Sequence, residues 1–307
     1  MTPDSNSDSS EWVTKVLGNN NTNLELYKIV RAKQINILLI GRTQTGKSTL
    51  VTSIINPQSA TASSGYSDTR RATMHKLILY NNNKKQLYQL NIIDTPGLKD
   101  VPDPSEKKID DDTILDLVKL CLKENIAKLN FVGLVSQAGQ THMHDVEVFN
   151  NVLDFLGDEI SNITMMILTH CDEFTDAKLK KFESDIQTNE TSNKIYKFCK
   201  LKIMRVGAIN KDKIDAYNNY DIEKMLVLNA LDKNQIFRNE FLNKITDLAG
   251  NGILISKLKP FQDEEQKQIN GAIEEGVKLG KQDAHKINNV PNQNKQNKEE
   301  KSSCLII

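Results

Sequence analysis

Residues 41–48, GRTQTGKS, constrain the fold of this chain more than any other stretch, because they fit the pattern GxxxxGK[ST] in full. An apolar run at residues 34–40 precedes them and a helical run at residues 49–55 follows, as the motif requires. In such a loop the glycines let successive backbone N–H groups face one anion, and the helix N-terminus adds its dipole. The sequence therefore predicts a phosphate loop in which Lys47 reaches the β- and γ-phosphates of a nucleotide and Ser48 ligates Mg²⁺. The nucleotide-contacting residues of this loop are expected to be Gly41, Arg42, Thr43, Gln44, Thr45, Gly46, Lys47, Ser48 and Thr49.

The chain after this loop alternates between strand and helix patterns. Strands are predicted at residues 34–40, 74–80, 86–94, 131–136, 163–169 and 201–208, and helices at residues 111–129, 143–156, 176–199 and 222–248. A short Asn-rich turn joins the second and third strands as a hairpin, while helical crossovers connect the others. The predicted fold class is therefore α/β, with a mostly parallel, doubly wound sheet of six strands of which one is antiparallel.

Composition divides the chain into four segments. Residues 1–33 are polar at first and are expected to be partly disordered with a short helix, and residues 34–250 form the nucleotide-binding domain. Residues 251–289 are charged and predicted to be a helical extension, and residues 290–307 are too polar to form a core and are expected to be disordered.

Charge and cysteine content exclude several classes of protein. The formal net charge is zero, with 40 basic and 40 acidic residues, whereas sequence-independent nucleic-acid binders carry a basic excess. No nucleic-acid partner is therefore expected. None of the four cysteines forms a CxxC pair, which argues against a zinc site or a disulfide framework. No run of 18 apolar residues is present, and the polar N-terminus lacks the apolar core of a signal peptide.

The stretch Asp94-Thr95-Pro96-Gly97 follows an apolar strand end at residues 90–93. A carboxylate at that place holds Mg²⁺ through water, and a following glycine offers its N–H to the γ-phosphate. Asp94 is therefore predicted to be the Walker-B-type aspartate, and Gly97 the γ-phosphate sensor of a switch loop.

Two later strand ends are predicted to read the base. Asp172, in the sequence Thr-His-Cys-Asp, is placed to accept the guanine N1–H and N2–H₂ groups, a donor pair that adenine lacks. His170 either packs on the base or is a plain loop residue. In the short Ala-Ile-Asn stretch at 208–210, the Ala208 N–H is a candidate donor to guanine O6, and Asn210 a candidate to close the pocket. These features favour guanine, so GTP and GDP are the expected ligands.

The loop at residues 56–73 is the predicted first switch, with Thr69 as the first choice and Thr73 as the second for the third Mg²⁺ ligand. Leu98 stands where many small GTPases carry a glutamine that orients water, and leucine cannot do so. Hydrolysis is therefore expected to be slow unless Gln44, Arg42, Arg70 or Arg71 supplies the missing function. The residues expected to act in hydrolysis are Lys47, Thr69, Gly97, Gln44 and Arg42.

The order of the segments GRTQTGKS, SDTRRAT, DTPGLKD, THCDEF and AIN resembles the immune-associated nucleotide-binding GTPases, the GIMAP or avirulence-induced type. Residues 131–157, FVGLVSQAGQTHMHDVEVFNNVLDFLG, are similar to a box of that family that Ras-like GTPases lack. The resemblance covers roughly residues 34–250 and implies a G domain that binds GTP or GDP with Mg²⁺ and dimerises with nucleotide. Its implied site residues are Lys47 and Ser48 for phosphate and metal, Thr69 in the switch, Asp94 and Gly97 at the γ-phosphate, and Asp172 at the base.

Two positions depart from that family pattern. Gln44 stands where the family usually has glycine, which bears on hydrolysis. Gln140 stands where the box usually has arginine, which bears on the contact that the box makes.

The last four residues, Cys304 to Ile307, fit the C-a-a-X signal for a prenyl group on Cys304, with geranylgeranyl weakly favoured over farnesyl. Glu299 and Glu300 offset two of the three preceding charges of Lys295, Lys298 and Lys301, which leaves a poor polybasic patch, and one lipid chain anchors only reversibly. The expected localisation is cytoplasmic, with reversible attachment to the cytosolic face of a membrane. A homodimer in the GTP state would double the anchors.

Two functions fit these features. One is a slow GTP hydrolase that acts as a molecular switch and signals to an effector that the sequence does not identify. The other is a GTP-stabilised membrane scaffold with negligible hydrolysis, which Leu98 favours and the arginines and Gln44 oppose. An ATPase is disfavoured by Asp172 and by the strand hairpin between the two switch loops.

Overall fold

The computed structural model describes residues 31–58, 60–61, 72–98, 111–139, 143–210 and 220–288. It contains a six-stranded sheet whose strands are, in spatial order, β3 (Thr73–Asn81), β4 (Gln86–Asp94), β1 (Lys33–Gly41), β6 (Phe131–Gln137), β7 (Thr164–Thr169) and β8 (Ile203–Arg205). In this sheet the β3–β4 pair is antiparallel and the other pairs are parallel. The predicted mixed sheet is therefore confirmed.

Two short pairings lie outside the main sheet. The first joins β2 (Ala60–Thr61) to β9 (Ile209–Asn210) in parallel, and the second joins β5 (Lys128–Leu129) to β10 (Ile253–Leu254) in antiparallel fashion.

Helices cover both faces of the sheet. They are α1 (Lys47–Ile55), α2 (Asp111–Asn125), α3 (Met143–Leu156), α4 (Asp176–Thr188), α5 (Glu190–Phe198), α6 (Tyr220–Asp247) and α7 (Lys259–Asn288), with 3₁₀ turns at Asp158–Ile163, Cys171–Glu173 and Ile255–Lys257. Alternate residues of β1 enter two separate apolar clusters: Leu38 packs towards α2 and α3, and Leu39 towards α1 and α6. This alternation is what a sheet covered on both faces requires.

Four predicted elements differ from those observed. The single helix predicted at residues 176–199 is two helices, because Asn189 is extended and its Oδ1 caps α5 by accepting from Thr191 N at 3.0 Å and Ser192 N at 3.2 Å. The helix predicted to end at residue 129 ends at Asn125, since the following residues pair with β10. The strand predicted at residues 201–208 is regular only over Ile203–Arg205, and the extension predicted as wholly helical begins with β10.

A chain of buried asparagines attaches this extension to the sheet, at the edge opposite the phosphate loop. Asn91 Nδ2 donates to Asn36 Oδ1 at 2.7 Å, and the backbone N–H of Asn36 donates to Asn130 Oδ1 at 2.9 Å. Asn130 Nδ2 in turn donates to the carbonyls of Ala249 at 3.2 Å and Asn251 at 2.5 Å. Buried amides are tolerated because they are paired, so the end of α6 is fixed against β1.

Within the part of the chain that the structure describes, no helix has both the length and the apolar character needed to cross a bilayer.

Candidate nucleotide site

The phosphate loop connects β1 to α1 at the carboxyl edge of the sheet. Gly46 adopts a left-handed conformation (φ 84°) immediately before α1, and Thr45 Oγ1 donates to the Arg42 carbonyl at 2.9 Å. Lys47 is only 6% exposed, and its Nζ donates to the carbonyls of Gly41 at 3.1 Å and Arg42 at 2.9 Å. The loop thus holds its ammonium group over its own backbone, where phosphate oxygens are expected to bind.

Gln44 adopts φ 64°, in the left-handed region that non-glycine residues rarely occupy. This conformation costs a non-glycine residue about 1–2 kcal/mol. The geometry explains why glycine is usual at this position in the resembled family, and it shows that the loop keeps its shape with Gln44 in place.

Ser48 and Asp94, the two predicted metal ligands that the structure describes, lie in contact. Ser48 Oγ, in the first turn of α1, donates at 2.5 Å to Oδ2 of Asp94, the last residue of β4. Thr69, the first choice for the third ligand, lies outside the described residues. Thr73, the second choice, begins β3 directly opposite Asp94 in the antiparallel register.

The surroundings of Asp94 fit a divalent cation. The residue is 3% exposed, and its Oδ1 has no hydrogen-bond partner among the described residues. Burial raises the pKa of this carboxyl above its ordinary value, although the Ser48 hydrogen bond and the charge of Lys47 oppose the shift. A hydroxyl and a carboxylate oxygen are the hard ligands that Mg²⁺ prefers beside substrate phosphates.

The loop after β4 lies directly on the phosphate loop. Leu98 N donates to the Gly41 carbonyl at 3.1 Å, and Thr43 N donates to the Leu98 carbonyl at 3.4 Å. Gly97 packs so closely on Thr43 that a Cβ there would overlap Thr43 backbone atoms, so only glycine fits. The Leu98 side chain is 2% exposed and belongs to the apolar core, so it presents no polar group to the loop.

Arg42, a candidate catalytic residue, is directed towards α3. Its Nη1 lies 3.6 Å from Oδ1 of Asp145, a buried carboxylate whose Oδ2 accepts from Ser136 Oγ at 3.0 Å. Asp145 was not predicted as a functional residue, although it lies in the box at residues 131–157. The ion pair links that box to the phosphate loop.

The predicted base-reading loop is hydrogen-bonded to the phosphate loop. Thr169 Oγ1 donates to the Thr45 carbonyl at 2.7 Å and lies 3.1 Å from His170 Nδ1. His170 also adopts a left-handed conformation (φ 59°), and its Cε1 lies 3.4 Å from where a Cβ on Gly46 would be. The imidazole therefore packs on the phosphate loop.

Asp172 lies at the start of a 3₁₀ turn, and its Oδ1 accepts from Ala208 N at 3.2 Å. The Ala208 amide, predicted as a donor to guanine O6, thus supports the Asp172 carboxylate. Burial raises the pKa of Asp172, and the two backbone N–H groups that it accepts from lower it. Asn210 lies in β9, in register with Thr61 of β2.

Helix α6 contributes Lys233, a residue that no sequence motif indicated. Lys233 Nζ donates to the carbonyls of Phe174 at 3.0 Å and Asp172 at 3.4 Å, which fixes the backbone of the base-reading loop. The sequence offers no signal for this contact, because Lys233 lies far along the chain in a long helix and belongs to no motif.

The chain is similar to known proteins in sequence and in fold. The model of the AIG1 family matches residues 35–252. GTPase Der from Buchnera aphidicola subsp. Baizongia pistaciae (strain Bp) is 35% identical over 123 residues, which are 39% of this chain and 24% of Der, so the match spans about a quarter of Der. A crystal structure of a dimerization-deficient mutant of Toc33 from Arabidopsis thaliana has a TM-score of 0.50 and 21% identity, covering 71% of this chain and 84% of Toc33. That likeness concerns the fold.

The substitution Asp94→Asn tests whether Asp94 is a ligand of the metal. In apo protein the raised pKa means that ionisation of Asp94 disfavours the folded state, so parental stability falls as pH rises through that pKa. We expect Asp94→Asn to melt at or above the parental temperature at pH 7.5, with the difference in melting temperature shrinking as the pH falls towards the ordinary pKa of a carboxyl. Of the stabilisation by GDP, about 2.7 kcal/mol at 100 times Kd, the part that depends on Mg²⁺ should disappear.

Thermal melts from pH 5 to 8, with and without Mg²⁺ and GDP, measure both effects. Asp112→Asn, at an exposed position of α2, is the matched control and should change neither. Retention of the Mg²⁺-dependent shift in Asp94→Asn would contradict the assignment.

Two substitutions of Gln44 separate backbone strain from side-chain chemistry. We expect Gln44→Gly to raise the free energy of unfolding by up to about 1 kcal/mol, whereas Gln44→Ala keeps the strain and should not. If the Gln44 amide assists hydrolysis, single-turnover GTP cleavage falls equally in both variants. Unchanged cleavage in both would exclude Gln44 from catalysis.

Proposed function

The chain belongs to the AIG1 family, whose domain is of the GTPase type, and from this membership we propose that it binds GTP and GDP with Mg²⁺ and slowly hydrolyses GTP as a molecular switch. The observation that carries the proposal is the contact between Ser48 and Asp94 beside Lys47, with an unpaired buried oxygen on Asp94 within the described chain. Asp172, at the same sheet edge, gives the preference for guanine.

The roles of individual residues follow from their motifs and, for the described residues, from their positions. Lys47 and backbone N–H groups of the phosphate loop would bind the β- and γ-phosphates, and Ser48, Asp94 and, from its sequence context, Thr69 would hold the metal. Bound Mg²⁺ supplies positive charge that stabilises the transferred phosphoryl group. Gly97 senses the γ-phosphate, because its loop already lies on the phosphate loop.

Slow hydrolysis is supported by Leu98, whose side chain is in the core rather than beside the phosphates. Arg42 is engaged by Asp145, so its use in catalysis would require that ion pair to open. Gln44 lies in the phosphate loop itself and is preferred over Arg42 as the residue that assists hydrolysis. The same burial of Leu98 favours the second candidate function, a GTP-stabilised scaffold that barely hydrolyses.

We further propose dimerisation in the GTP state and attachment to a membrane through a prenyl group on Cys304. The dimer is supported by the family and by the likeness in fold to Toc33, for which a mutant is described as dimerization-deficient. Cys304 lies outside the described residues, and the proposal rests on its sequence context. Dimerisation and membrane attachment are linked, because a single lipid anchors a protein reversibly whereas a dimer presents two lipid groups.

Turnover per molecule, measured over a wide range of protein concentration with excess ATP present, tests the enzymatic proposal. We expect the rate to rise with concentration, since dimerisation would complete the catalytic site, and ATP not to compete. Lys47→Ala is the inactive control. A flat rate near zero with GTP still bound would favour the scaffold, and competition by ATP would contradict the guanine assignment.

Membrane fractionation of cells that express the chain with a prenyl transferase tests the anchor. We expect the parent and a Ser303→Ala control to pellet with membranes more strongly when loaded with a non-hydrolysable GTP analogue than with GDP. Cys304→Ser should remain in the soluble fraction with both nucleotides. Equal partitioning of parent and Cys304→Ser in the GTP-analogue state would exclude prenyl anchoring.

A further inference from the structure

The amide of Asn234 is buried beside the base-reading loop. Asn234 follows Lys233 on α6 and is 2% exposed. Neither its Nδ2 nor its Oδ1 has a hydrogen-bond partner among the residues that the structure describes. Burying an amide without partners is unfavourable, so we expect a nearby polar group to form a hydrogen bond with this amide.

The close approach of Asn234 and Asp172 to Gly207 identifies that polar group as the Asp172 carboxylate. Asn234 Oδ1 and Asp172 Oδ1 both lie within 2.6 Å of the point that a Cβ on residue 207 would occupy. A side chain at 207 would displace them, so glycine lets the amide and the carboxylate meet beside its Cα. The two ends of an amide are nearly isosteric, and a half turn of the side chain places Nδ2 where Oδ1 lies.

We propose that Asn234 is a positioning residue for guanine recognition, whose Nδ2 donates to Oδ1 of Asp172. The Ala208 N–H donates to the same oxygen at 3.2 Å, and Lys233 fixes the backbone carbonyl of Asp172. A carboxylate has about four lone-pair sites, two on each oxygen, so these two donors occupy Oδ1 and leave Oδ2 to accept from the base. The inference rests on the proposed function, because it concerns how guanine is distinguished.

Asn234→Leu keeps the side-chain volume and removes both polar ends. We expect its GDP affinity to fall roughly tenfold, while inosine diphosphate, which lacks the 2-amino group, loses no more than about threefold. The affinity ratio of GDP to inosine diphosphate therefore narrows. The melting temperature of the nucleotide-free variant should not exceed the parental one, since leucine removes the hydrogen bond that Asn234 Nδ2 donates to Asp172.

Competition binding of GDP and inosine diphosphate to the full chain measures this ratio. Asn239→Leu, at an exposed position of the same helix, is the matched control, and Asn234→Ala repeats the test if the leucine variant does not fold. In an Asp172→Ala background, Asn234→Leu should have no further effect on either nucleotide, because Asn234 acts through Asp172.

The proposal would be overturned if Asn234→Leu kept the parental ratio of GDP to inosine diphosphate affinity, or lost affinity for both nucleotides equally. Either result would leave guanine binding by the parent intact. If the parent itself binds GDP no better than ADP, the proposed function fails and the role of Asn234 fails with it. The affinities of the parent for GDP and ADP therefore distinguish failure of the proposed function from failure of the role given to Asn234.

Discussion

Parallel pairing of β1 with β4 on one side and β6 on the other determines where the functional groups lie. In this register Leu39 is opposite Asp94, and Gly41 is opposite Val135. The end of β4 therefore meets the start of the phosphate loop, although the two are distant in sequence. Because parallel strands end at one edge, each crossover returns the chain to the same place, and the base-reading loop after β7 arrives there too.

Side-chain hydrogen bonds then fix these loops relative to one another. Thr169 connects the base-reading loop to the carbonyl of Thr45, and the Arg42–Asp145 pair connects the phosphate loop to α3. Both carboxylates that would contact ligand, the buried Asp94 and the partly buried Asp172, have raised pKa values because each is withdrawn from solvent. Buried carboxylates of this kind are suited to a cation and to the donors of a base, which compensate the charge that burial disfavours.

The sequence predicts the main sheet and the residues of the candidate site because those features depend on local pattern. A buried strand followed by GxxxxGKS specifies its own geometry, and the hairpin follows from two apolar runs around an Asn-rich turn. The break at Asn189 was missed, since asparagine inside a charged helical pattern gives no clear stop signal. The roles of Asp145, Lys233 and Asn234 were missed because they depend on which helix packs beside which loop, and periodicity does not carry that information.

The two-residue pairing of β2 with β9 joins the segment after α1 to the segment beside Ala208. So short a pairing opens at low free energy, and it can do so while the six-stranded sheet stays closed. Separation of these two segments is then a local opening event, with a rate independent of global unfolding.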